Sequence, residues 1–194
     1  MNIGIYIYEE AEVLDFSGPF EVFSVASRFL KENEKFNVFL VSETYEPVKA
    51  RGGYSVNPNY SFLNHPKIDI LIVVGGIHTQ EVKKDNVIKW IDNISKETKV
   101  TASVCTGAFL LAQAKVITNH TVTTHWEDIN DLKKDYPTLN VKNNVRWVDE
   151  GNIITSAGIS AGIDMSLHLV STIINKELAI KTAKQMDFDW TSNL

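Results

Sequence analysis

Cys105 is the only cysteine in the 194-residue chain, and it stands where an apolar run gives way to a helical pattern. The run covers residues 100–104, and Thr106 and Gly107 follow the cysteine before the helical pattern begins. A nucleophile on such a strand-to-helix turn is lifted clear of the sheet, and the helix start beside it favours an anion. We therefore predict an exposed, reactive thiol with a lowered pKa, for which Gly107 lets the backbone turn sharply. A buried cysteine that only packs the strand end is the alternative.

Two glycines, Gly75 and Gly76, end a neighbouring apolar run and are predicted to face the cysteine. The carboxyl ends of parallel strands meet at one edge of a sheet. The backbone N–H groups of the glycines could therefore join that of Thr106 in an oxyanion hole. Ile77 follows directly and is assigned to the same pocket. A tight turn with no role in binding is the alternative for the glycine pair.

Asp15 lies in the first connection between a strand and a helix, shortly before Pro19. A carboxylate at this edge of the sheet could contact the thiol and transfer protons. Alternatively, Asp15 caps a helix that begins at Pro19, since proline is favoured at the first helical position. Spacing alone does not separate the two roles.

Two of the five histidines, His125 and His78, lie where they could approach the cysteine. His125 belongs to the segment Thr123–Trp126, just before a predicted helix, where a histidine is more often structural than catalytic. His78 follows the glycine pair and could line the mouth of the pocket. The spacing of the histidines and the single cysteine provide no metal-binding pattern, so we expect neither a metal nor another cofactor.

Strands and helices alternate along much of the chain, which predicts an α/β fold with a doubly wound, mostly parallel sheet. The runs that predict strands are almost continuously apolar, as expected when helices cover both faces of a sheet. They occupy residues 3–8, 38–41, 70–74 and 99–104. Helices are predicted from Pro19, over about 86–96, directly after Cys105 and from about Trp126.

Two regions interrupt this alternation. Residues 48–62 predict an irregular or hairpin insertion, and residues 144–156 predict a small antiparallel hairpin. A long helix is expected after a cap near Ser160, and a final helix over about 176–187 leads into a polar tail. Because no linker or repeat is evident, we expect one domain over residues 1–194.

Composition limits the classes of function. Hydrophobic residues make up 44% and charged residues 22%, an ordinary balance for a soluble protein. The net charge of −5 disfavours nucleic acid as a partner, and no apolar stretch is long enough to span a membrane. The amino terminus predicts a first strand rather than a signal peptide, and the lone cysteine fits a reducing compartment. We therefore expect a cytoplasmic protein that acts on a small molecule.

Five motifs, taken in order, resemble the ThiJ/PfpI superfamily, whose fold is that of class I glutamine amidotransferase domains. Within it, the chain is most similar to the branch that holds isonitrile hydratase and the sensor domains of certain AraC-type transcription regulators. The similarity covers nearly the whole chain, and the ordered set is far more specific than any single motif. The motifs are VLDFSGPFEVF, LIVVGG, SVCTGAFLLA, TTHW and SAGISAGIDMSLHLV.

This resemblance implies a flavodoxin-like, three-layer αβα sandwich with a nucleophile elbow at Cys105, and it implies a homodimer. It assigns Cys105 as the nucleophile, Asp15 as its acidic partner and Thr106 as the residue that faces the bound intermediate. Gly75 and Gly76 correspond to the turn that supplies oxyanion contacts. The implied reaction is the hydration of an isonitrile to an N-substituted formamide, through a thioimidate on the cysteine.

Two other functions remain open at this point. Protease-type members of the superfamily carry a histidine directly after the cysteine, and Thr106 at that position argues against an intracellular protease or amidase. A small-molecule or redox sensor is the non-enzymatic alternative. No helix-turn-helix region follows before Leu194, so we expect no DNA binding by this chain alone.

Overall fold

The computed structural model describes residues 1–191, and residues 192–194, at the end of the predicted polar tail, lie outside the described residues. The strands are β1 Asn2–Tyr6, β2 Asn37–Ser42, β3 Val48–Lys49, β4 Ser55–Val56, β5 Tyr60–Ser61, β6 Ile70–Val73, β7 Val100–Val104, β8 Thr121–Val122, β9 Asn140–Val141, β10 Trp147–Asp149 and β11 Ile153–Ser156. The α-helices are α1 Val13–Ser27, α2 Asp85–Ser95, α3 Gly107–Gln113, α4 Ile129–Asp135, α5 Ala161–Ile173 and α6 Lys176–Gln185.

A seven-stranded sheet forms the centre of the fold, in the order β10-β11-β7-β6-β1-β2-β5. Its neighbouring strands pair in parallel, except for the antiparallel pair β10 and β11 at one edge. Helices α1, α5 and α6 pack on one another, and α2 packs with α3. The predicted flavodoxin-like sandwich, with a mostly parallel, doubly wound sheet and a small antiparallel hairpin, is therefore confirmed.

The central strands are apolar along their length because helices cover both faces of the sheet. All four residues of β6 are buried, and so are four of the five residues of β1. Helix α2 buries Val87, Trp90 and Ile91, packs Ile88 and Ile94 partly buried against the core and carries polar residues at its remaining positions, the pattern of an amphipathic helix. This packing fixes the carboxyl ends of β1, β6 and β7 side by side, and the residues expected to do chemistry follow these ends.

Helix α1 begins earlier than predicted, at Val13 rather than at Pro19. Its buried stripe already includes Phe16, and it continues through Pro19 and Phe23 at helical spacing. Packing of this stripe outweighs the missing backbone N–H of the proline, which here lies inside the helix. Asp15 is consequently in the first turn of α1, and its side chain points into the protein.

The insertion at residues 48–62 is a short antiparallel hairpin of β3 and β4, followed by β5 at the sheet edge. Gly52 and Gly53 form the hairpin turn with φ of 69° and 77°, values that favour glycine. Backbone hydrogen bonds from Glu10 to Lys49 and from Arg51 to Ala11 attach the hairpin to the loop after β1. The insertion thereby brings Arg51 to the carboxyl edge of the sheet.

The carboxyl-terminal third agrees with the predicted elements. Strands β10 and β11 form the hairpin, and Ser160 occupies the cap position of α5, although its side chain makes no capping bond. The final helix is α6. No helix within residues 1–191 combines the length and the apolarity needed to cross a membrane.

Candidate active site

The backbone at Cys105 makes a sharp turn between β7 and α3. Its φ is 56°, a left-handed conformation that is strained for a residue with a side chain. The predicted nucleophile elbow is therefore present. The strained residue is the cysteine itself, whereas Gly107 is needed for a close approach, since a Cβ there would lie 2.1 Å from the carbonyl oxygen of Val73.

The thiol is less accessible than predicted. Cys105 is only 7% exposed, and it contributes to the wall of an open cavity of about 420 Å³. Gly76, Ile77, His78 and His125 line the same cavity. Of the predicted pocket residues, Ile77 is the most open to solvent, at 46% exposure. The cysteine is thus mostly buried, and this cavity is where a small molecule could meet its sulfur.

Asp15 is fully buried beside the cysteine and does not cap a helix. The backbone N–H of Gly75 donates to its Oδ2 at 3.0 Å, while Oδ1 has no hydrogen-bond partner of ordinary geometry in the described chain. Burial raises the pKa of this carboxyl from 3.8 to about 7, against the lowering effect of the Gly75 amide. The Ile159 amide and the Cys105 thiol also face the carboxyl group and lower its pKa. Near neutral pH, Asp15 can therefore accept or release a proton next to the sulfur.

The predicted lowering of the thiol pKa is wrong. Burial, and next the charge of Asp15, raise the pKa of Cys105 well above its ordinary value, and Asp128 and Glu12 raise it further. The backbone N–H of Thr106 acts in the opposite direction. Helix α3 has only seven residues, so its dipole does not overcome burial and nearby carboxylates. The resting thiol keeps its proton, and attack requires that a neighbour take it.

The predicted oxyanion donors of the glycine turn are already engaged. The N–H of Gly75 holds Asp15, and the N–H of Gly76 donates to the Thr106 hydroxyl at 2.9 Å. The same hydroxyl donates back to the carbonyl of Gly76 at 3.0 Å. A Cβ on Gly75 would lie 2.5 Å from the Thr106 nitrogen, so this contact requires glycine. The glycine turn therefore positions Asp15 and Thr106, and the Thr106 amide, which faces the sulfur, remains as the candidate oxyanion donor.

His125 lies at the rim of the cavity, and its Nδ1 is 3.4 Å from a carboxylate oxygen of Asp128. The neighbouring Thr124 hydroxyl donates to the carbonyl of Cys105 at 2.8 Å, which attaches this segment to the elbow. His78 stacks on Phe109 with ring centroids 4.3 Å apart, and burial lowers its pKa. Both histidines thus line the cavity.

Sequence reasoning missed much of the cavity wall, namely Glu12, Arg51, Thr79, Glu127, Asp128 and Ile159. Arg51 arrives on the hairpin insertion, with its Nε 4.0 Å from a Glu12 carboxylate oxygen. Ile159 has φ of 56°, unusual for a β-branched residue, and follows β11 on the loop before α5. Separate loops bring these positions together, and only Ile159 lies within one of the quoted motifs, SAGISAGIDMSLHLV. Within residues 1–191, no cluster of histidine, cysteine and acidic residues could hold a metal ion.

Comparisons with known proteins place this geometry among relatives of different function. The chain is 28% identical to the isonitrile hydratase of Pseudomonas putida over 189 residues, covering 97% of this chain and 78% of that protein. It is 30% identical over 173 residues to the HTH-type transcriptional regulator CdhR of Pseudomonas aeruginosa, covering 89% of this chain. The chain spans 51% of that regulator.

Solved structures show the same fold. A ThiJ/PfpI family protein from Pseudomonas syringae superposes with a TM-score of 0.86 at 22% identity, over 98% of this chain and 76% of that one. Drosophila melanogaster DJ-1beta superposes with a TM-score of 0.82 at 17% identity, over 97% of this chain and 98% of that one. Residues 1–172 match the profile of the DJ-1/PfpI family, and the chain therefore belongs to that family.

Proposed function

We propose that the protein is a cysteine-dependent hydratase that converts an isonitrile and water into an N-substituted formamide. One observation carries this proposal: Cys105 stands on a strained turn in an open cavity, beside a buried carboxyl whose pKa is about 7. In such a pair the carboxyl group can take the thiol proton as the sulfur attacks and can return it later in the reaction. The similarity to isonitrile hydratase over nearly the whole chain supports the choice of reaction.

In the first step, the Cys105 sulfur attacks the terminal carbon of the isonitrile while Asp15 takes the thiol proton. Asp15 then delivers this proton to the same carbon, and the product is a thioimidate with new C–S and C–H bonds. The Thr106 amide faces the sulfur and stabilises negative charge as the thiol loses its proton.

In the second step, water adds to the thioimidate carbon, and its proton reaches the substrate nitrogen through Asp15. The C–S bond then breaks, the hydroxyl proton returns to the sulfur through the same carboxyl group, and the formamide leaves. Atoms balance as one isonitrile and one water per formamide, and the thiol is regenerated. The hydrogen bond from the Gly75 amide keeps the Asp15 carboxyl group in position for these proton transfers.

Formamide production from a simple alkyl isonitrile, followed by proton NMR, tests the proposal. Wild type should turn over, and Cys105→Ala should not, while circular dichroism shows that both are folded. Cys105→Ser provides the matched control, because it keeps the size of the side chain but supplies a much weaker nucleophile. A folded wild type that forms no formamide from a panel of alkyl isonitriles contradicts the proposal.

The second candidate is a small-molecule sensor, favoured by the 30% identity to a transcriptional regulator across 89% of this chain. In that case the cavity binds an effector without converting it. Calorimetric binding that is unchanged in Cys105→Ala, together with no turnover of the bound compound, would support this candidate over the hydratase.

The expected homodimer and cytoplasmic location remain proposals that follow from the family resemblance and the reduced cysteine. Sedimentation velocity at two protein concentrations tests the first, with a single species of twice the 21.8 kDa chain mass as the expected result. Cell fractionation tests the second.

A further inference from the structure

We propose that the Cys105 cavity selects substrates that carry a positive charge, and that this charge helps to form the nucleophilic thiolate. The inference deepens the proposed function, because it rests on Cys105 attacking a bound small molecule. It does not depend on which electrophilic group the molecule carries.

Carboxylates lie beside the sulfur and along the wall of its cavity. Asp15 is buried beside it, and Glu12, Glu127 and Asp128 line the cavity. The charges of Asp15, Asp128 and Glu12 each raise the pKa of the Cys105 thiol. The cavity therefore holds negative potential where an anionic sulfur must form.

The positive groups along the described cavity wall offset this potential only in part. Arg51 lies 4.0 Å from Glu12 and is half exposed, so solvent weakens its effect on the interior. His125 lies 3.4 Å from Asp128 and 3.7 Å from Glu127. His78 also lines the cavity, but burial lowers its pKa and favours its neutral form. Even with a proton on His125, three carboxylates in the cavity therefore face two cationic groups, and Asp15 adds to the carboxylates.

Asp15 places a further, fully buried carboxyl group next to the thiol. Its Oδ1 is buried and has no hydrogen-bond partner of ordinary geometry in the described chain, although a buried polar atom normally has one. A cationic group in the cavity would offset the negative potential at both the carboxyl group and the thiol. Proton transfer from Cys105 to Asp15 then leaves a thiolate that is stabilised by the bound substrate. An anionic ligand would have the opposite effect.

Two methanethiosulfonate reagents test this directly, since they differ only in a trimethylammonium or a sulfonate group on the same ethyl arm. The thiolate attacks the sulfenyl sulfur, a disulfide forms and methanesulfinate leaves, so no further oxidant is required. Because Cys105 is the only cysteine, mass spectrometry reports its labelling alone. Rate constants are divided by those of N-acetylcysteine with the same reagent.

The normalised rate should be at least about 10-fold higher for the cationic reagent, and added salt should reduce this preference. One unit charge about 7 Å away at an effective dielectric of about 40 changes a rate roughly 5- to 10-fold. Because the two reagents carry opposite charges, Asp128→Asn should reduce the normalised preference by at least about 5-fold. Asp92→Asn, which removes a carboxylate paired with Lys96 on the exposed side of α2, should leave it unchanged.

Equal normalised rates, or a faster anionic reagent, would overturn the inference, and the second result would indicate recognition of anions by Arg51. The labelling needs no turnover, so a failed hydratase assay leaves the charge preference open to measurement. Conversely, efficient hydration of neutral alkyl isonitriles without any charge preference in labelling would reject this inference and retain the proposed function.

Discussion

Two fully buried aspartates, Asp15 and Asp164, occupy the first turns of α1 and α5 and differ in the groups that compensate their charge. Arg146 donates to Oδ2 of Asp164 from Nε at 2.8 Å and also from Nη2, and the Thr191 amide donates to Oδ1 at 2.8 Å. Asp15 accepts a single ordinary hydrogen bond, from Gly75. The same residue type in the first turn of a helix therefore has a charge paired with arginine in one place and a charge with few partners in the other.

This difference distinguishes a carboxylate that stabilises the fold from one that can exchange a proton. A buried charge is costly unless a partner compensates it, and otherwise the group gains a proton. The guanidinium of Arg146 compensates Asp164, and the same side chain donates to the Ser160 hydroxyl at the start of α5. Asp15 has no such cation within the described contacts, and its pKa rises to about 7. Proton exchange near neutral pH is thereby available at Asp15, next to the only thiol.

The largest expected effect is on turnover in Asp15→Asn. The amide keeps the size of the side chain but can neither take nor return the thiol proton. General acid–base groups contribute about 10²- to 10⁴-fold to a rate, and kcat should fall by that factor. Steady-state kinetics with the substrate identified for wild type provide the measurement. A variant with near-normal kcat would end the assignment of Asp15 as the proton-transfer group.

A second effect is the pH dependence of stability. Because the pKa of Asp15 rises from 3.8 to about 7 on folding, the native state binds the proton more tightly than the unfolded state does. Its contribution is therefore most favourable below about pH 4 and is lost as pH rises to about 7. The shift corresponds to about 4 kcal/mol. Wild type should lose this much stability relative to Asp15→Asn across that range.

Urea denaturation of both proteins at several pH values measures this difference, and the comparison removes contributions from other titrating groups. Asp69 and Glu43, for example, have lowered pKa values and act in the opposite direction in both proteins. A stability difference that is constant with pH would mean that folding leaves the pKa of Asp15 unchanged, so that its charge is fully compensated in the native state.

Asp164→Asn tests the other side of the comparison. The variant leaves the Arg146 charge without its carboxylate and weakens the link between Arg146, α5 and Thr191. Breaking a buried pair costs about 3 to 5 kcal/mol, and the low end is expected because Arg146 is 34% exposed. The urea midpoint should fall, whereas kcat of the folded fraction should change far less than in Asp15→Asn. A large loss of kcat without loss of stability would remove the distinction between the two aspartates.

Local sequence patterns predicted much of the fold because they report burial directly. The apolar runs located β1, β6 and β7, and the rule that ligands bind at the carboxyl ends of parallel strands brought Asp15, Gly75 and Cys105 together. The start of α1 was missed because Pro19 was interpreted as a first-turn residue. Packing of Phe16 and Phe23 in one stripe decides that boundary, and the proline is accommodated within the helix.

The electrostatics of the site could not be predicted in the same way. A helix start beside Cys105 suggested a lowered thiol pKa, but the direction depends on burial and on carboxylates from other segments of the chain. Arg51 and Ile159 reach the cavity on loops that are distant in sequence. Such terms depend on tertiary distances, which no spacing in the sequence encodes.

The smallest effect concerns the support of Asp15 rather than Asp15 itself. Thr106→Val removes the hydroxyl that exchanges two hydrogen bonds with Gly76, next to the amide that holds the carboxyl group. A hydrogen bond contributes about 1 kcal/mol net, so unfolding should become easier by about 1 to 2 kcal/mol. Thr106→Ser keeps the hydroxyl and should lie close to wild type. A valine variant with full stability would mean that packing alone holds the glycine turn. This packing is close, because a Cβ on Gly76 would lie 2.3 Å from the carbonyl oxygen of Glu10.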